Sequence, residues 1–139
     1  MKSVRVLSHT ADVRLLIRAN SRHELFTAGI MGIARMISPD IREKNYRFEK
    51  MIRVESEDLT GLFIDFLNEV LSSSYIDKCV YDRVKITRLE NEGKALIEVE
   101  LEGYEIKKYK KEVKAVTYHE ADITRSGAGL YEIIIVLDI

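Results

Sequence analysis

Acidic groups lie at both ends of this chain, in places where together they could bind a cation. Asp12 closes the segment SHTAD near the N-terminus, and Asp138 precedes Ile139, whose main-chain carboxylate is a second anionic group. Two anions this close repel each other unless a Lys or Arg, a helix N-terminus or a cation neutralises them. Ca²⁺ and Mg²⁺ both take carboxylate oxygens, so Asp12 would be a third ligand if the two strands concerned are neighbours. A solvated chain end is the open alternative.

The segment SHTAD also has a plainer interpretation. It lies between two predicted strands, so it is equally typical of a turn in which Asp12 accepts a backbone N–H and His9 is an ordinary surface residue. Ser, His and Asp are all present in the chain, but no spacing among them indicates a catalytic triad.

A second polar segment, KKYKKEVKAVTYH, covers residues 107–119. Its lysines are typical of a solvated strand edge that discourages aggregation, or of a basic patch that meets an anionic partner. If 112–123 forms a regular strand, Lys114 shares a face with Glu112, and His119 points to the opposite face.

Length and composition limit the classes of protein. The chain has 139 residues, 46% of them hydrophobic, which predicts one folded domain. A net charge of −1 gives no global attraction to nucleic acid or membranes. The single cysteine, Cys79, excludes a disulfide within the chain, and no signal peptide or apolar run of ~20 residues is present. We therefore expect a cytoplasmic protein. Glycine-rich phosphate loops and the GxSxG motif are absent.

The apolar patterns predict two helices among about seven strands. Ser21 and Glu24 form a capping box for a first helix that Pro39 ends. The second helix has Ser56 or Asp58 near its start and gives way to a loop at serines 72–74. Strands are predicted at 3–8, 12–19, 46–56, 79–89, 95–106, 112–123 and 130–138. The class is α+β, with two helices on a mainly antiparallel sheet in a single domain, 1–139, and the segment 79–106 is predicted to form a hairpin with one buried face.

Glycines inside the first predicted helix indicate a close approach. Gly29 and Gly32 cost stability in a helix interior, so we expect the backbone there to pack tightly against a neighbouring element.

Together these segments resemble the archease family. The resemblance rests on HTAD, ELF, FLNEVL, EVKAVTYH and the terminal LDI, and it covers the whole chain in order. It implies a small protein of helices and sheet with a smaller inserted β-hairpin element, which would lie around 79–106. It also implies an accessory role for the RtcB-type RNA ligase of tRNA splicing, in which the protein promotes guanylylation of the ligase histidine and multiple turnover.

The resemblance assigns roles to individual residues. Asp12, Asp138 and the carboxylate of Ile139 match the family's metal-binding acids, with Ca²⁺ the usual ion and Mg²⁺ an alternative. Lys114 matches a functionally sensitive lysine. Four further residues fall in matching motifs with less defined roles: His9, Glu69, Glu112 and His119. The implied partner is the ligase, with RNA met only indirectly and neither DNA nor a membrane involved, and the chain itself is no enzyme.

Two other functions stay open at this point. One is a metal-dependent phosphoester hydrolase built on Asp12, Asp138, the C-terminus and His9, since a carboxylate-bound Mg²⁺ can polarise phosphate. The other is a chaperone-like module that binds RNA or protein through the basic run at 107–114, which predicts strongly salt-dependent RNA binding.

Overall fold

The computed structural model describes residues 2–7 and 12–139. Ten elements follow one another along the described chain: β1 (Lys2–Leu7), β2 (Val13–Ala19), α1 (Arg22–Ile37), β3 (Tyr46–Ser56), α2 (Leu59–Asp77), β4 (Cys79–Glu92), β5 (Lys94–Glu105), β6 (Ala115–Thr117), β7 (Thr124–Arg125) and β8 (Tyr131–Asp138).

The strands form two antiparallel sheets with the helices between them. One sheet has the order β1-β2-β8-β6, with β7 also paired to β8, and the other has the order β3-β5-β4. Helix α1 packs on β1, β2 and β4, while α2 packs on β3, β4, β5 and β6. The α+β class is therefore confirmed, and the β4–β5 hairpin lies in the second sheet, where β5 also pairs with β3.

Both helices start at capping residues that the sequence indicates, α1 at Ser21 and α2 at Asp58 rather than at the alternative Ser56. The Ser21 hydroxyl accepts the Glu24 amide at 3.1 Å, and the Asp58 carboxylate accepts the Gly61 amide at 2.7 Å. Each side chain thereby satisfies one of the amides that a helix start leaves without an intrahelical partner.

The predicted loop at serines 72–74 is wrong, because α2 continues to Asp77 and ends where Lys78 takes left-handed backbone angles. Ser73 and Ser74 are buried in the last turns of the helix. Buried apolar neighbours on the same helix outweigh the weak helix preference of serine.

The glycines of α1 mark its closest contacts, as the sequence predicts. A Cβ atom on Gly29 would lie 2.8 Å from Cζ of Phe63 and 3.1 Å from Cδ2 of Leu67, both on α2. A Cβ atom on Gly32 would lie 3.3 Å from Cδ1 of Leu15 on β2. The missing side chains thus let α1 approach the second helix and the first sheet.

The predicted strand at 112–123 is mostly wrong. Only Ala115–Thr117 forms a strand, because the chain turns after it: the Ala121 amide donates to the Tyr118 carbonyl, and Glu120 has a φ of 58°. The alternation of faces inferred for Glu112, Lys114 and His119 therefore does not apply.

Cys79 is a buried core residue rather than a reactive thiol. Burial is the main cause that raises the pKa of its thiol, to about 11, and a thiol held neutral is a poor nucleophile. Within the ranges that the structure describes, no helix is long and apolar enough to cross a membrane.

A charged hydrogen bond fixes the C-terminal end of α2 to the second sheet. The Tyr81 hydroxyl donates to the Asp77 carboxylate at 2.6 Å, and the Lys50 ammonium lies 3.3 Å from it. The pKa of Asp77 lies below its ordinary value. The hydrogen bond from Tyr81 is the main cause, and Lys50 is a further one.

This lowered pKa predicts a pH-dependent contribution to stability. A carboxyl with a depressed folded-state pKa stabilises the fold above its unfolded pKa of about 3.9, and the contribution is lost as the pH falls through the folded pKa. We expect Asp77→Asn to lower the free energy of unfolding by about 1 kcal/mol at pH 7, with the deficit shrinking below pH ~4. Urea unfolding from pH 7 to pH 3 measures it, with exposed Asp122→Asn as the control. A deficit independent of pH would contradict the assignment.

Candidate functional site

Strand pairing brings the two acidic segments together. β2 and β8 are antiparallel, and their last described pair joins Val13 to Leu137. One more step in the same register sets Asp12 opposite Asp138, and directly opposed side chains in an antiparallel pair have Cβ atoms about 4.5–5.5 Å apart. Asp12 is half-buried and Asp138 is exposed. The prediction that these strands are neighbours is confirmed.

We call the end of the first sheet that carries Asp12 and Asp138 the corner. A third strand, β6, brings a lysine to this corner. Ala115 of β6 pairs with Asp138, and the Lys114 amide donates to the Asp138 carbonyl at 2.7 Å. Lys114 and Ala115 therefore both lie across from Asp138, at the end of β8. Its side chain is exposed and makes no ion pair with any residue of the described ranges. Lys114 and the two aspartates thus lie on adjoining segments, where β2 and β6 begin and β8 ends.

Sequence reasoning did not single out Arg14, which lies two residues after Asp12 and so on the same face of the sheet. The Arg14 guanidinium donates to the Glu120 carboxylate at 2.7 Å, and Nε2 of His119 lies 3.6 Å from the same carboxylate. Contacts from His119 to Glu120 and from Glu120 to Arg14 thus link His119 to the face of the sheet that carries Asp12. The spacing of two residues from Asp12 is the signal that could have indicated Arg14.

The donor set at the corner suits a hard cation. Within the described residues, no three His, Cys, Asp or Glu side chains group to hold a metal ion. Asp12 and Asp138 supply two carboxylates, and the main chain supplies a third at Ile139 when the chain ends there. Ca²⁺ takes six to eight oxygen ligands, so carbonyls, water or a partner would complete the shell.

Two side chains of α2 hold the segment that carries Lys114. Asn68 donates through Nδ2 to the Val116 carbonyl and accepts the Val116 amide through Oδ1, both at 2.8 Å. The Tyr75 hydroxyl donates to the Val113 carbonyl and accepts the Val113 amide, also at 2.8 Å each. Sequence reasoning missed both residues, because their partners lie far along the chain.

The amino-acid sequence also matches a known protein family. Residues 5–139 match the family model described as the Archease protein family. This chain belongs to the archease family. The match includes every described residue of the corner, from Asp12 to Ile139.

Named archease proteins are similar along most of their length. The chain is 34% identical over 125 residues to the protein archease of Thermococcus gammatolerans, covering 87% of each chain. It is 31% identical over 135 residues to the protein archease of Pyrococcus furiosus, covering 94% of each.

Solved structures show the archease fold. Protein 1598 of Methanobacterium thermoautotrophicum superposes with a TM-score of 0.77 at 24% identity, with 98% of both chains covered. An archease of Thermotoga maritima, described as a possible chaperone, gives a TM-score of 0.63 at 23% identity and covers 96% of this chain and 94% of that one. At these identities the likeness establishes the fold.

The remaining archease motif residues lie in different places. Glu69 is exposed on α2, next to Asn68, and Glu112 is exposed two residues before Lys114. His119 is exposed and lies beside Glu120. His9 lies outside the described residues. The structure thus brings together Asp12, Asp138, Ile139 and Lys114, with Glu112 near them along the chain.

Proposed function

We propose that this archease-family chain is an accessory protein that activates an RtcB-type RNA ligase in tRNA splicing, by promoting guanylylation of the ligase histidine and so multiple turnover. The observation that carries the proposal is the convergence of Asp12, Asp138 and Lys114 at one exposed corner. A corner with both charge signs can dock beside a charged active site. The description of a Thermotoga maritima archease as a possible chaperone also fits a protein partner.

Asp12, Asp138 and the carboxylate of Ile139 would hold a divalent cation, for which we favour Ca²⁺ over Mg²⁺. Such a cation would supply positive charge that keeps the carboxylates ionised and offers coordination positions to an anionic group of the ligase or its nucleotide. Lys114, across from Asp138, would contact the same anionic group. The chain's own residues thus bind and orient, and no covalent step is asked of them.

The protein would act in the cytoplasm with the ligase, meeting RNA only through that enzyme and contacting neither DNA nor membranes. It is an activator and no enzyme. The corner carries acidic groups and a lysine. The chain's one thiol, Cys79, is buried and is therefore not accessible to a substrate.

A guanylylation assay tests this function. Labelled GTP is incubated with a cognate RNA ligase and substoichiometric amounts of the wild-type chain, and labelling and ligation turnover are followed. We expect the wild type to restore multiple turnover, and Asp12→Ala and Asp138→Ala to leave the ligase at its unstimulated rate. Asp122→Ala is the matched control, because Asp122 is an exposed acid outside the corner.

Two outcomes would contradict the proposal. Full stimulation by folded Asp12→Ala and Asp138→Ala chains would remove the corner from the mechanism. Hydrolysis of an aryl phosphate by the chain alone, lost in Asp12→Ala, would favour a metal-dependent phosphoester hydrolase instead.

A further inference from the structure

Asn68 and Tyr75 lie on one face of α2, seven residues and so about two turns apart. Their four hydrogen bonds, each 2.8 Å, go to the main chain of Val116 and Val113. Both valines are buried, and Lys114 lies exposed between them. The helix thus holds the main chain on both sides of Lys114 and leaves its side chain in solvent.

On the side of β6 that faces away from β8, side chains of α2 take the place of a neighbouring strand. β6 has three residues and is an edge of its sheet, with β8 as its one strand partner in the described chain. The amide and carbonyl of Val116 would face away from β8 without a strand to receive them, and Asn68 supplies one acceptor and one donor to them. A strand this short pairs weakly by itself, so its place depends on these side-chain bonds.

We propose that Asn68 and Tyr75 are positioning residues that set Lys114 beside Asp138 at the end of β8. β8 holds the Lys114 amide from one side, through the Asp138 carbonyl, and α2 holds the flanking residues from the other. The inference rests on the proposed function, because it concerns how Lys114 acts in ligase activation. It assigns the two residues no contact with the ligase.

The chain provides a matched pair of tyrosines to test this role. Tyr75 and Tyr109 pack edge to face, with ring centroids 4.9 Å apart. The Tyr109 hydroxyl donates to the carbonyls of Ser74, at 2.7 Å, and Cys79, at 3.3 Å, so it makes no bond to the main chain of the residues that flank Lys114. Tyr75→Phe and Tyr109→Phe each remove one hydroxyl from the same aromatic pair.

The experiment compares Tyr75→Phe and Asn68→Leu with Tyr109→Phe, Lys114→Ala and the wild type. Guanylylation is measured against the concentration of the chain, which separates maximal stimulation from half-saturation. Amide hydrogen exchange at Lys114 and Val116 reports the local geometry without the ligase. We expect Tyr75→Phe and Asn68→Leu to lower maximal stimulation at least about tenfold, since a 1 Å misplacement can cost up to ~10²-fold, and to speed exchange at both amides. Tyr109→Phe should retain wild-type stimulation and wild-type exchange.

The outcomes separate this inference from the proposed function. If Lys114→Ala stimulates normally, the role of Lys114 in the proposed function fails, and with it the reason for positioning. If Lys114→Ala abolishes stimulation while Tyr75→Phe and Asn68→Leu keep the wild-type maximum, the positioning role alone is wrong. Equal losses in Tyr75→Phe and Tyr109→Phe would also overturn it, because they would show a general effect of the aromatic pair on stability. Tyr75→Phe keeps its ring packing, so it remains informative even if Asn68→Leu fails to fold.

Discussion

Adding one alanine after Ile139 is expected to abolish ligase stimulation and leave the domain folded. The addition turns the Ile139 carboxylate into a neutral amide and moves the terminal charge about 3.3 Å along the strand direction. A cation bound by Asp12 and Asp138 would then have one anionic ligand fewer. Ile139 packs against the core through its side chain, which the addition leaves in place. We therefore expect a large functional effect with little change in the free energy of unfolding.

Calorimetric titration with Ca²⁺ and the guanylylation assay measure this effect together. We expect Ca²⁺ affinity and stimulation to be lost in parallel. The matched control adds one alanine at the N-terminus, because Lys2 pairs with Ala19 at the opposite end of the sheet from Asp12. Wild-type stimulation by the C-terminally extended chain would show that the terminal carboxylate takes no part.

Gly29→Val is expected to destabilise the fold by on the order of 2–3 kcal/mol. The added Cβ would lie 2.8 Å from Cζ of Phe63, and that ring also packs edge to face on Phe26 at 5.1 Å, so it cannot simply move aside. Extra atoms in a well-packed core typically cost 1–3 kcal/mol. Valine has a slightly better helix propensity than glycine, so the loss would come from packing.

Urea unfolding at pH 7 measures this loss, with Arg35→Val as the control. Arg35 lies exposed on the same helix, so its substitution brings the same β-branched side chain without the contact between helices. We expect the control to change the free energy of unfolding by less than about 1 kcal/mol. Similar losses in both variants would mean that Gly29 is not the point where α1 and α2 approach closely.

Local signals in the sequence were sufficient for the helix starts, the close-packed glycines and the α+β class. Ser21 and Asp58 cap their helices through amides three residues away, an interaction contained within one short segment. The β-branched run in β8 and the motifs shared with the archease family are likewise readable without coordinates. Asp12, Asp138 and Lys114 could be proposed together from that resemblance.

Tertiary structure decided what depends on partners far apart in the chain. The end of the strand at Thr117 follows from a turn and from contacts with α2, and the continuation of α2 through Ser74 follows from burial against other elements. No short stretch of sequence contains these contacts, because they form only between segments that come together in the folded chain. The register of β2 on β8 brings Asp12 level with Asp138, and Asn68 finds Val116 across the same fold. The sequence by itself thus indicated which acidic and basic groups could form a site, whereas the long-range pairing of β2, β6 and β8 in the folded chain determined that the segments carrying them are neighbours.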